Sequence, residues 1–391
     1  MNYRTTLFAC AALMSIAPAW AADEEEATTA TPAVIRHEDA SAVTMYGLID
    51  EGAQYLNHVA VGKATGNTYA VGAGMATSYF GFRGSENLGG GLKAIFDLQG
   101  GFSANSGISG QGPRLFGRQS YVGLDGKYGR LTFGRQYTMR FYATSSINVF
   151  GTGAQGITTL DNGVANARAD NAISYRVYLT DALEVGANYS FGRDAVSATP
   201  TTSVATNCAG ETTPFVQCKE KSVLVKYTGT KWGVNGGYER NYGGTLATAT
   251  APATFGGLTA PNITDSRLIL GGYGLVGGVK LAVGLIKRND LGLVIPKSNL
   301  VWLTSSLPLT GKINFDGMLA QLKYDASPNK AMVIVLRTTY SLSKRTMLYV
   351  TADHINNSAN LALSASTLAP VGLPLAGTSQ LSIITGIKHT F

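Results

Sequence analysis

From Val43 to the last residue the chain alternates apolar and polar positions with a period of two. Val43, Met45, Gly47 and Ile49 share one face; Thr44, Tyr46, Leu48 and Asp50 share the other. Leu92, Ala94, Phe96 and Leu98 oppose Lys93, Ile95, Asp97 and Gln99 in the same way. Val279, Leu281, Val283 and Leu285 oppose Lys280, Ala282, Gly284 and Ile286. Neighbouring side chains on a strand point to opposite faces, so these runs predict strands, not helices. Each is about ten residues long or shorter, which suits a tilted strand crossing a bilayer. Segments near 296–307 and 312–325 alternate poorly.

Two kinds of connection join the predicted strands. Short turns such as Asp125-Gly-Lys-Tyr128, Thr180-Asp-Ala182, Thr228-Gly-Thr230 and Ser341-Leu-Ser-Lys344 form one set. Between them lie longer stretches at 57–74, 102–114, 138–170, 195–220, 242–263, 289–297 and 357–378. With a further turn at 326–329, the expected fold is all-β: a 16-stranded antiparallel transmembrane β-barrel with both termini at the short-turn end. The stretch 138–170 stands apart. It holds four glycines but also Phe141, Tyr142, Ile147, Val149 and Phe150, too apolar for a solvated linker. It is expected to be a constriction loop folded into the lumen.

Composition agrees with a wall that meets lipid on one side and water on the other. Of 391 residues, 48 are Gly and 19 Tyr, and only 14% are charged, against about a quarter in soluble domains. Beyond the N-terminal segment no run of ~20 apolar residues could span a membrane as a helix. Residues 1–21 read as a signal peptide, with Arg4, an apolar core from Leu7 to Ala17, and Ala19-Trp20-Ala21 as the cleavage site. Cleavage takes the formal charge from +7 to +6, a basic excess that favours anions. Residues 22–42 form an acidic tail, and 43–391 the barrel. Cys208 and Cys218 are the cysteines left after cleavage; in an oxidising compartment a disulfide between them is expected.

Several stretches carry a family resemblance: Val43-Thr-Met-Tyr-Gly-Leu-Ile-Asp50, Gly81-Phe-Arg-Gly-Ser-Glu-Asn-Leu-Gly-Gly-Gly91, Phe116-Gly-Arg-Gln-Ser-Tyr-Val-Gly-Leu124, Phe133-Gly-Arg-Gln-Tyr137 and the terminal Gly386-Ile-Lys-His-Thr-Phe391. In order and content the chain resembles the trimeric general porins of Gram-negative bacteria, especially the beta-proteobacterial and neisserial group. The resemblance implies a homotrimer in outer-membrane lipid, a constriction loop after the fifth strand, and passive diffusion of small hydrophilic solutes. It also implies that Phe391 is read by the barrel assembly machinery. Departures occur at Tyr79 and Gln119, where relatives often carry a basic lumen residue, in a loop poor in acids, and in the acidic tail.

The candidate selectivity residues are Arg83, Arg118, Arg135 and Arg176 on the wall and Arg140, Asp161, Arg168 and Asp170 in the loop. Arginine keeps its charge at any relevant pH, and a narrow gap with low-dielectric walls focuses its field. Arg83, Lys93, Arg130 and Arg176 fall on the lumen face; Arg118 and Arg135 fall on the outer face unless a bulge turns them inward. Anion preference follows, with a substrate-specific channel carrying a saturable site as the alternative. No catalytic residue, cofactor or metal is expected. Gly151-Thr-Gly-Ala-Gln-Gly156 fits a dinucleotide pattern but precedes no legible helix, and the four His are scattered. Asp353 and His354, a base next to an acid, point to opposite faces of a strand. Nucleic-acid binding is not expected either, because the basic residues are dispersed.

Overall fold

A computed structural model describes residues 42–161, 163–193, 217–244, 258–368 and 372–391. The strands in order begin with β1 (Ala42–Val61), β2 (Ala64–Gly72), β3 (Tyr79–Gly89), β4 (Leu92–Gly101) and the short β5 (Gly110–Pro113). There follow β6 (Gln119–Gly126), β7 (Gly129–Tyr137), helices α1 (Met139–Ser145) and α2 (Ile157–Leu160), β8 (Arg168–Tyr178) and β9 (Leu183–Ser190). The next are β10 (Glu220–Thr228), β11 (Trp232–Tyr242), β12 (Thr264–Val276), β13 (Val279–Asp290) and β14 (Lys297–Pro308). Last come β15 (Ile313–Tyr324), β16 (Lys330–Ser341), β17 (Thr346–Ser358) and β18 (Ser379–Thr390).

Sequential strands pair antiparallel, and the sheet closes where β1 meets β18, from Leu48 opposite Thr390 to Leu56 opposite Ser382. β5 stays outside the 17-stranded sheet. β2 and β3 both pair with β1, one along its upper half and the other along its lower half. They are two pieces of one stave, so the barrel is a closed ring of 16. Residues 73–78 interrupt that stave, and Asp50 takes up the backbone groups the ladder loses. Its carboxylate accepts the N–H of Met75 at 2.7 Å and of Ala76 at 2.6 Å, and the hydroxyl of Tyr349 at 2.7 Å.

Burial follows the alternation. On β12 to β16, Leu268, Leu270, Leu281, Val283, Val301, Leu303, Ile334 and Leu336 are exposed, while Ile269, Ala282, Leu300, Trp302, Val333 and Val335 between them are buried. An exposed apolar band of this extent suits lipid and not water. The poor alternation of β14 and β15 has a cause: both faces are apolar, because the inner one is covered by the chain between β7 and β8.

Two local expectations change. The stretch 57–74 is not a long loop; β1 and β2 run on to a tight turn at Gly62 and Lys63, with Gly62 at φ +63°. The long connection 138–170 holds α1 and α2, of seven and four residues, too short to leave a readable helical period.

Candidate functional site

The connection 138–170 crosses the barrel interior and is fastened at many points to the inward faces of distant strands. Thr138 donates to Glu239 of β11 at 2.5 Å, and Asn235 donates to the carbonyl of Ala143 at 2.9 Å. The Trp302 indole of β14 donates to the Ile147 carbonyl at 2.9 Å. Arg337 of β16, itself paired to Asp316, donates to the Val149 carbonyl at 2.8 Å and lies over the Phe150 ring. Asp353 of β17 accepts the Gly156 N–H at 2.8 Å, and Gln155 donates to Ser382 of β18. The tip reaches the broken stave, where the Ala154 N–H meets the Gly74 carbonyl. Ile147, Val149 and Phe150, noted in the sequence, join Met139, Ile157, Leu224, Ile269, Leu300, Trp302 and Val333 in one cluster.

The loop thus packs on the inner faces of β10 to β18 and reaches the broken stave. The wall of β1, β3, β4 and β6 to β8 carries a different chemistry. Four arginines lie over tyrosine rings: Arg83 on Tyr46, Arg118 on Tyr79 and Arg168 on Tyr137, each 4.6 Å from the centroid, and Arg176 on Tyr142 at 4.0 Å. Hydrogen bonds join them laterally. The Tyr46 hydroxyl donates to Asp97 at 2.6 Å and accepts from Gln99 at 3.1 Å; Arg118 donates to Gln99 at 2.5 Å. The Tyr137 oxygen accepts from Arg118 at 3.1 Å and from Arg168 at 2.9 Å. A guanidinium stacked on a ring keeps its charge while losing freedom, so the arrangement fixes positive charge in place.

The candidate residues divide into three groups. Arg83, Arg118, Arg168 and Arg176 belong to the arginine–tyrosine wall, Arg176 also pairing with Glu184 at 3.0 Å. Arg140 and Asp161 are anchors. Arg140 is buried against Glu239 at 3.0 Å, and Asp161 faces Arg267 of β12 through contacts of 2.8 and 2.9 Å. Arg135 and Arg114 hold Asp170 between them, at 2.5 and 3.0 Å. The two loop acids are therefore matched by arginines and do not stand as lone charges facing the wall. Arg118 and Arg135, outward by simple parity, face inward. Arg118 precedes β6, and Arg135 occupies a bulge where the β7–β8 register shifts between Gly134 and Gln136, with Gly134 at φ +126°.

Sequence reading missed Glu239, Arg267, Trp302 and Arg337, and the anchoring role of Asp353, all on inward positions of their strands. Their signal was a large or charged side chain on the polar face of an alternating run. Among the described residues no group of three or more His, Cys, Asp and Glu is disposed to hold a metal. At the short-turn end the backbone of Phe391 pairs with Gly47 in both directions at 3.0 Å, and its ring occupies the space a side chain at 47 would need. Cys218 is buried, with φ +58°, and Cys208 lies outside the described residues.

A closed barrel, apolar outside and charged within, is a transmembrane β-barrel of the outer-membrane type. Residues 9–360 match the model of the Gram-negative porin family. An outer membrane porin of Bordetella pertussis is 30% identical over 383 residues, covering 85% of this chain and 94% of that protein. Outer membrane porin protein 32 of Delftia acidovorans is 31% identical over 370 residues, with 90% and 94% covered. The solved structure of an anion-selective porin from Comamonas acidovorans superposes with a TM-score of 0.71 at 26% identity, covering 90% of this chain and all of that one. The trimer form of OmpT of Vibrio cholerae shares the fold, with a TM-score of 0.59 at 15% identity. The chain belongs to the Gram-negative porin family and is an outer-membrane channel protein.

Proposed function

We propose that this porin is a homotrimeric, water-filled channel for passive diffusion of small hydrophilic solutes and ions, with a preference for anions. The observation that carries the reading is the set of ring-stacked arginines: Arg83 and Arg118 on the barrel wall, Arg168 where the loop enters β8, and Arg176 stacked on Tyr142 of the loop's own helix α1. On that wall the guanidinium charges outnumber the carboxylates they meet, Asp97 and Glu184, since Asp170 is matched by Arg114 and Arg135. The anion-selective Comamonas relative supports the same sign. The loop 138–170 is the constriction, and a permeating ion passes between it and this wall. Catalysis has no part in the reading: Asp353 is buried inside and His354 exposed outside, so they form no relay.

Reversal potentials across a planar bilayer under a KCl gradient test the proposal. A unit charge at ~4 Å is worth about 1–4 kcal/mol between water and a partly screened gap. Arg83→Gln or Arg118→Gln should therefore lower the chloride-to-potassium permeability ratio several-fold. Arg345→Gln, on an exposed turn, should change it little, because salt screens it within ~10 Å at 0.1 M. A cation-selective wild type would sink the reading. Solute flux linear in concentration fits a general pore; saturating flux would favour a dedicated site.

The same reading includes removal of residues 1–21 as a signal peptide, recognition of Phe391 by the assembly machinery, and a disulfide between Cys208 and Cys218 in an external loop. Two free thiols in oxidised, denatured protein would exclude the disulfide.

A further inference from the structure

The outward face of the barrel changes character near its long-loop end. On β13 to β16, Val283, Leu303, Leu319 and Ile334 stand directly opposite one another as an exposed apolar rung. Four residues farther along the same strands the rung reads Lys287, Asn299, Lys323 and Lys330, with the three lysines exposed. The next outward rung extends the charge sideways. There Lys221 of β10 faces Arg240 of β11, and the row runs through Ser266 and Asn289 to the exposed Lys297. Among the described residues none of these six cations makes an ion pair. The carboxylate beside them, Asp325, accepts a hydrogen bond from Asn299 at 2.8 Å. Lys221 and Arg240 lie 5.4 and 5.8 Å from the centroid of the Tyr242 ring, and the Arg240 Nε is buried without a hydrogen-bond partner.

We infer that this belt holds phosphorylated, multiply anionic lipid of the outer leaflet, with the phosphates on the cations and the acyl chains on the apolar rungs below. Lys323 stands directly opposite Lys330, and Lys221 directly opposite Arg240. Like charges so placed destabilise a sheet unless an anion answers them. No such anion comes from the described residues of the chain itself. Long loops face outward in outer-membrane barrels, so the belt lies at the head-group level of the outer leaflet, where lipid phosphates can reach it. Seven neighbouring strands at ~4.8 Å spacing make the belt about 29 Å wide, enough for more than one lipid molecule side by side. Arg240 suits a phosphate in particular, since a guanidinium offers it two parallel donors and the ring of Tyr242 lies alongside. The continuity of cations with an exposed apolar face sets this occupant apart from a soluble anion, which would leave that face unused. Attraction between exposed charges fades as salt shortens the screening length from ~10 Å at 0.1 M to ~3 Å at 1 M, whereas contact with acyl chains does not. The inference does not depend on which ions the channel passes.

The test uses assembled protein purified from outer membranes in detergent and titrated with diphosphoryl lipid A or with the same lipid stripped of its phosphates. Bound lipid is counted by native mass spectrometry. The wild type is compared with Lys287→Gln/Lys323→Gln/Lys330→Gln, with Lys221→Gln/Arg240→Gln, and with a control, Lys127→Gln/Lys231→Gln/Lys312→Gln, whose lysines are exposed on the short turns. In 0.1 M KCl the wild type and the control should prefer the phosphorylated lipid by about tenfold or more, and each belt variant should lose most of that preference. In 1 M KCl the wild-type preference should shrink toward the variants' level. Without lipid, the belt variants should melt at or above the wild-type temperature, because a like-charge pair has been removed; added lipid should raise the melting temperature of the wild type alone. If a variant fails to assemble, the salt dependence of the wild-type preference decides. Equal binding of the two lipids by the wild type would overturn the inference. So would an equal loss in the control, which would mean that any exposed lysine serves. Displacement of the lipid by inorganic phosphate at matched phosphorus concentration would mark a site for free anions instead. A belt variant that keeps its lipid but loses the oligomer on unboiled gels would show that the belt faces a second copy of the chain.

Discussion

Asp161 shows how a single side chain decides whether the loop stays in place. Burial alone would raise its carboxyl, but Arg267, through charge and two hydrogen bonds, and then Arg288 and Arg140 outweigh it and hold the group well below the ordinary carboxylate range. A carboxylate whose pKa is depressed on folding contributes stability that is fully present above its unfolded value, ~3.9, and is lost as pH falls below that value toward the folded one. The Asp161 contribution to loop docking should thus be constant from pH 8 down to about 5 and weaken only in stronger acid. Current noise recorded against pH would check this. Arg267→Gln leaves the acid buried without its main partner, a change worth about 3–5 kcal/mol in comparable buried pairs. Its channel should become unstable at pH 7 and steadier on mild acidification, as Asp161 takes up a proton. Gly47 is a second decisive position. Any side chain there collides with the Phe391 ring, so Gly47→Val should lower stability by roughly 1–3 kcal/mol, seen as a lower melting temperature of the unboiled oligomer on gels.

At the scale of elements, the loop is held by strands that never neighbour it in sequence. Trp302→Phe keeps the ring volume approximately but removes the donor to the Ile147 carbonyl, leaving a buried acceptor unmatched at about 1–3 kcal/mol. The barrel should still fold, with unchanged far-ultraviolet circular dichroism, while single-channel traces flicker as the segment after α1 loosens. The existence of this loop was legible because Phe141, Ile147, Val149 and Phe150 are costly to expose. Its anchors were not, since pairing Asp161 with Arg267 or Gly156 with Asp353 depends on curvature that brings residues about 100 to 200 positions apart together. The inward turn of Arg135 was legible only as a condition on a bulge, because parity counts residues and a bulge adds one. The break at 73–78 was not read: the sequence predicts a long loop at 57–74, and the partner that stabilises the break, Asp50, sits on another strand.

For the whole molecule, the outward apolar band and the inward charges belong to one alternating pattern, so a one-residue slip of any stave would exchange the faces. The seam carries a further consequence. Leu48 meets Thr390 and Leu56 meets Ser382, partners separated by more than 300 residues, so no local hairpin can stand in for this contact. Until it forms, the structure is an open sheet with two rows of unsatisfied backbone groups and an apolar exterior, the form of protein most prone to stick to its own kind. A chain lacking β18 should therefore not yield a slightly weaker channel. It should yield none, with the product found in aggregates or proteolytic fragments and no folded band on unboiled gels. The ring leaves evolution little room for partial versions: in a closed circle every stave is the keystone.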